Sequence, residues 1–181
     1  MKTFLHVGCG RLDKSYCHGF EGDDWSEIRL DIDKNVKPDI VGTLTDMNLV
    51  ESSSVDAIYR VLNDDGIVVI TCPDIQSVGE ALTNDKSLDP LYDSPMGGVS
   101  AIDIIYGHRE TTKDGNIFAA HKCGFTYSTL DRVFFEAGFE ARVGGRRPDA
   151  FDLYLVAFKQ RKSDDELKRI ATNFLPQARY S

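Results

Sequence analysis

The sequence predicts an α/β fold: a doubly wound sheet of seven strands, mostly parallel, closing with a C-terminal antiparallel hairpin, in one domain over residues 1–181. Three observations predict it. The apolar run Phe4-Leu5-His6-Val7 ends in Gly8-Cys9-Gly10, which reads as a buried strand meeting a tight glycine turn. Glu27 to Asp33 alternates polar and apolar residues, so a second strand follows and carries acids at its end. Gly66-Ile67-Val68-Val69-Ile70-Thr71-Cys72 is a continuous β-branched run stopped by Pro73, as a central parallel strand requires.

The remaining elements follow in order. Asp39 to Leu44 reads as a third strand and Val55-Asp56-Ala57-Ile58-Tyr59 as a fourth. Asp74 is a suitable N-cap for a helix through Leu82. Residues 84–125 are rich in Asp, Ser, Gly and Pro, and read as a long loop or lid carrying His108, Arg109 and His121. Ser128 or Thr129 starts a helix with Leu130, Val133, Phe134 and Ala137 at helical spacing, which Gly138 closes. Phe139–Val143 and Leu153–Phe158 are the last two strands, paired across the turn region 144–149. Ser163 caps a final helix, so 163–181 is a C-terminal helix and tail.

Composition narrows the function classes. With 41% hydrophobic and 28% charged residues in 181, the chain has enough apolar content for a packed core. No apolar run approaches the ~18 residues of a membrane span, and the first residues have no signal-peptide pattern, so a cytoplasmic protein without membrane attachment is expected. A net charge of −8 argues against nucleic acid as a partner, although Arg142, Arg146, Arg147, Lys159, Arg161 and Lys162 form a basic C-terminal region. The four cysteines do not read as a disulfide framework. Cys17-His18 and His121-Lys122-Cys123 lack zinc-site spacing, and no metal is assigned from them.

A strand, a glycine turn and an acid closing the next strand make up the Rossmann-like layout of a nucleotide-type cofactor site. Asp31 lies 21 positions after Gly10, against the ~20 typical of a carboxylate that accepts bonds from two ribose hydroxyls. The glycines let backbone approach a ligand with no Cβ in the way. The turn Gly8-Cys9-Gly10-Arg11-Leu12-Asp13 lacks the third glycine of a dinucleotide fingerprint, and residues 11–26 have no amphipathic helical period. A nicotinamide-dependent reductase is therefore the weaker alternative.

Residues 4–10, Arg29-Leu30-Asp31-Ile32-Asp33, Gly42-Thr43-Leu44-Thr45-Asp46-Met47, 55–59 and the Arg60-x-Leu62-x-x-x-Gly66 approach to the β-branched run resemble, in order, the motifs of class I methyltransferases that use S-adenosylmethionine. The resemblance is strongest to the small bacterial type 11-like group. It implies a methyltransferase acting on a small-molecule acceptor, with S-adenosylhomocysteine as product. It also implies backbone contacts from Gly8, Cys9 and Gly10 to the methionine part, and Asp31 on the ribose. Ile32 would pack on the adenine, Asp46 would accept from the adenine amine, Met47 would flank the ring, and Tyr59 would join the cofactor contacts. His108 and His121 are the candidate bases, required only where the acceptor must lose a proton.

Two departures stand out. His6 occupies a position where the family usually has an acid, and reads either as a core residue or as a cofactor-edge contact. Lys34–Asp39 and Arg60–Asp65 are each shorter than the dozen or so residues a parallel crossover requires. The crossover after Tyr59 therefore reads as missing. That deficit favours the alternative of a methyltransferase-like binding module, or a homodimer exchanging elements between chains.

Overall fold

The computed structural model describes residues 1–43, 54–83, 87–94, 97–113 and 115–174. The chain separates into two compact units, one of residues 1–69, 133–143 and 156–181, the other of 70–132 and 144–155. No helix among the described residues is long and apolar enough to cross a membrane.

In the first unit β1 (Lys2–Val7), β2 (Trp25–Asp31) and β3 (Ile40–Val41) form a parallel sheet in the order β1-β2-β3. Its register pairs Phe4 with Glu27, His6 with Arg29 and Leu30 with Ile40. Residues 11–24 contain a single 3₁₀ turn, Lys14–Tyr16, in keeping with the absent helical period. The short link from β2 to β3 is likewise one 3₁₀ turn, Lys34–Val36, followed by Lys37 at φ 52°. Arg29 closes this link by donating to the carbonyls of Val36 and Lys37, while its own N–H donates to Asp39.

Among the described residues the expected seven-stranded, mostly parallel sheet is not present. Their eight strands are distributed over three small sheets: β1-β2-β3, a second of β4 (Ile67–Pro73), β8 (Asp152–Phe158) and β7 (Ala141–Arg147) in that order, and a hairpin of β5 (Pro90–Ser94) with β6 (Gly97–Ser100). The cause lies at residues 55–59. Instead of a fourth strand they belong to α1 (Ser54–Val61), which runs unbroken through Tyr59 and Arg60. Five residues with mixed apolar spacing fit either period, and a helix continuing to Val61 buries Ala57 to 1% exposure. A tight turn, with Gly66 N–H donating to Asn63 O at 2.9 Å, then feeds directly into β4. The described chain thus has a helix ahead of β4 and lacks the bridging strand, rather than the reverse.

Other boundaries also shift. The predicted third strand shortens to two residues, and its Leu44 end lies outside the described residues. The run Gly144–Arg147, expected in a turn, is the second half of β7, and the connection to β8 is the 3₁₀ turn Pro148–Ala150 with Phe151 at φ 56°. Neighbouring strands joined by so few residues run antiparallel, so the closing hairpin is present. The stretch 84–125 holds β5, β6, α3 (Ala101–Tyr106) and α4 (Arg109–Lys113). The helix starts hold closely: Asp74 caps α2 (Ile75–Leu82), α5 spans Tyr127–Glu136, and Ser163 O accepts from Leu167 N at the head of α6 (Asp164–Phe174).

Each unit has its own apolar centre. Ala141, Val156, Phe158 and Ala171 pack with Ile67, Val69, Leu167 and Ile170 in the first. Val78, Val99, Ala101 and Ile104 pack with Leu82, Leu91, Ile105 and Phe151 in the second.

Candidate functional site

The C-terminal ends of β1 and β2 bring the glycine turn and Asp31 together. Gly8 N–H donates to Leu30 O at 2.8 Å, extending the strand pairing one residue past β1. The chain then turns sharply, with Gly8 at φ 66° and Gly10 at φ 54°, a region that L side chains enter at a cost of about 1 kcal/mol or more. A Cβ at either position would meet nothing within 4 Å, so the backbone conformation alone selects glycine and the space over the turn is open. Between them Cys9 points inward at 1% exposure, and burial is the main reason its thiol pKa lies above the ordinary value.

Asp31 locks this turn. Its Oδ2 accepts the Gly10 N–H at 2.7 Å and its Oδ1 accepts the Asp33 N–H at 2.8 Å. Arg29 supplies a second tie by donating to Gly10 O at 2.7 Å and to Leu12 O at 3.2 Å. Each carboxylate oxygen has about two lone-pair directions, so Asp31 retains acceptor capacity on both. Ile32 follows with its side chain 43% exposed beside the turn, and Asp33 caps the next 3₁₀ turn through Asn35 N–H at 2.9 Å.

The other predicted residues divide. Asp46 and Met47 lie outside the described residues. Tyr59, on α1, packs edge-on against Phe139 at 5.1 Å with Lys159 Nζ 4.8 Å from its ring centroid. His108 and His121 belong to the second unit. His108 Nδ1 lies 3.2 Å from Thr111 Oγ1, beside the first turn of α4, and His121 Nδ1 donates to Ile104 O at 2.7 Å. His121 also lines a cleft of about 680 Å³ with Cys72, Tyr106, Cys123 and Phe125. Burial pushes the Cys72 thiol there up to about 11.

The basic C-terminal region is largely committed to internal pairs. Arg146 donates to Asp74 Oδ2 at 2.6 Å and to Ser77 Oγ at 2.9 Å, while Arg147 forms a two-point pair with Asp152. Burial raises the Asp74 pKa, but hydrogen bonds from Ser77 and Arg146 outweigh it and leave the carboxyl below its ordinary value.

Sequence reading missed one group altogether. His6 Nδ1 lies 2.7 Å from Glu27 Oε1, and Cys17 Sγ lies 3.5 Å from the same nitrogen. Pairing by adjacency had matched Cys17 with His18, whose imidazole instead faces Glu21 at 3.4 Å. Only the parallel register of β1 and β2, which sets Glu27 opposite Phe4, reveals that His6 and Glu27 are diagonal neighbours.

No family model matches the chain, and no curated protein matches it either.

Proposed function

We propose that the first unit binds S-adenosylmethionine across the glycine turn and Asp31, and that the protein is a methyltransferase acting on a small-molecule acceptor. The observation that carries this reading is the Asp31–Gly10 hydrogen bond, 2.7 Å long, between an acid closing β2 and an open, positive-φ glycine turn after β1. The residues fit such a ligand. Gly8 and Gly10 leave uncovered backbone for the methionine part, Asp31 retains acceptor sites for two ribose hydroxyls, and exposed Ile32 supplies apolar surface for the adenine. The cofactor's chemistry is an activated methyl on a sulfonium. The chain's contribution is then chiefly to hold donor and acceptor in line.

A second reading, binding without turnover, is favoured by the two-residue β3 and by helix α1 standing where the fourth strand was expected. Calorimetric titration separates these from a reductase. The proposal expects heat with S-adenosylmethionine and S-adenosylhomocysteine and none with NADH. Silence with both adenosyl ligands overturns it. Transfer of labelled methyl into a small-metabolite mixture distinguishes the enzyme from the binding module.

A further inference from the structure

From the geometry we infer that His6, Cys17 and Glu27 form a binding site for a zinc-class divalent cation. The three arrive from separate places in the chain: β1, the residue closing the Lys14–Tyr16 turn, and β2. Their nearest ligand atoms all lie within 4.8 Å of one another. A tetrahedral zinc, with Zn–S of about 2.3 Å and Zn–N of about 2.0 Å, separates sulfur from nitrogen by about 3.5 Å. Cys17 Sγ lies 3.5 Å from His6 Nδ1 and 3.8 Å from its Nε2, so the separation is already met and a turn of the imidazole or of the Cys17 side chain brings the sulfur to the Nδ1 edge. Nitrogen and carboxylate oxygen around the same ion stand about 3.3 Å apart, so the 2.7 Å His6–Glu27 contact has only to open by about half an ångström.

The donor set decides the class of ion. One sulfur, one imidazole nitrogen and one carboxylate oxygen suit zinc and its borderline neighbours, whereas magnesium and calcium prefer oxygen alone. The carboxylate is already aimed, because Lys14 N–H donates to Glu27 Oε2 at 3.0 Å and leaves Oε1 toward His6. Side-chain exposures of 18% for His6 and 11% for Glu27 shield the group from competing water. Glu27 also borders an open cleft of about 550 Å³ with Asp13, Glu21 and Trp25, and a zinc held by three protein donors would take water as its fourth ligand. The ion would pin the segment 11–24, which has little regular structure, to the two strands beside the glycine turn.

The test uses the full chain with cobalt(II) as spectroscopic probe and zinc as competitor. One equivalent of cobalt is expected to give a thiolate charge-transfer band with the intense visible bands of four-coordination, both removed by zinc. Cys17→Ser should abolish the charge-transfer band and weaken binding by more than about tenfold, while Cys123→Ser leaves both unchanged. In the unaltered chain, zinc should protect Cys17 from alkylation and leave the exposed Cys123 reactive, a readout independent of whether any variant folds. A charge-transfer band that survives in Cys17→Ser, or Cys17 alkylation at the same rate with and without zinc, overturns the assignment. Neither result depends on adenosyl-ligand binding.

Discussion

The Gly10 N–H donates to Asp31 Oδ2 at 2.7 Å across 21 positions of chain. The bond fixes the glycine turn to the end of β2, and with it the direction in which the turn's backbone faces. Asp31 is only 9% exposed, and both its oxygens accept from backbone, so it is structural before any ligand arrives. Asp31→Ala should therefore lower stability by about 1–3 kcal/mol, because two backbone donors lose a charged acceptor. Denaturant midpoints measure this, and an unchanged midpoint would contradict the role.

Ile32 offers a cleaner separation of binding from folding. Its side chain is 43% exposed, so Ile32→Ala should leave stability within about 0.5 kcal/mol while weakening adenosyl-ligand affinity several-fold. Calorimetry and thermal melts of the same sample give both values.

Gly10→Ala probes the turn by itself. No atom lies within 4 Å of the added methyl, so the cost is conformational alone, about 1–2 kcal/mol for φ of 54°. A larger loss, measured by denaturant unfolding, would mean that the space above the turn is not open.

The second unit carries a pH-sensitive pair. Hydrogen bonds from the Arg109 guanidinium hold the Asp103 carboxyl well below its usual range, against the opposing effect of burial, with Ser100 adding further bonds. A folded pKa below the unfolded value of about 3.9 contributes stability that is complete above about pH 5 and lost as pH falls from the unfolded value toward the folded one. Asp103→Asn should flatten the acid limb of a stability-against-pH curve between about pH 5 and 2, and should cost about 1–3 kcal/mol at neutral pH. An unchanged acid limb would remove Asp103 as its source.

Arg146 likewise pairs, from a partly exposed position, with a fully buried carboxylate of that unit. Arg146→Ala leaves Asp74, which has no exposed surface, with Ser77 and the Gln76 N–H as its remaining partners, a loss of about 3 kcal/mol. Arg161→Ala, whose partner Glu140 is largely exposed, should change stability by less than about 1 kcal/mol. Thermal unfolding of the two variants side by side tests the contrast.

The elements legible in the sequence are those whose signal is local. Asp74 before α2, Ser163 before α6 and the β-branched run of β4 carry caps and periodicity within a few residues, and all three elements are present. However, β4 lies at the edge of its three-stranded sheet and not at the centre of a parallel one. The glycine turn and Asp31 were legible because their spacing reports a parallel strand pair. Residues 55–59 were not, since a five-residue apolar run fits either period and only packing around Ala57 selects the helix. The His6–Cys17–Glu27 group was invisible for a different reason: it depends on strand register and on the path of 11–24, neither of which leaves a spacing rule. Asp46 and Met47 stand outside the described residues.

The continuity of α1 through Tyr59 and Arg60 is checked by backbone Cα chemical shifts across 54–61, which should be helical throughout; strand-type shifts at 55–59 would restore the expected fourth strand.

The central claim is that the β1–β2 turn holds an adenosyl ligand, and amide chemical shifts recorded while S-adenosylhomocysteine is titrated into the full chain test it most directly. The account predicts saturable shifts concentrated at Gly8, Cys9, Gly10, Asp31 and Ile32. No shift at these amides, or shifts confined to residues 72–125, would contradict it.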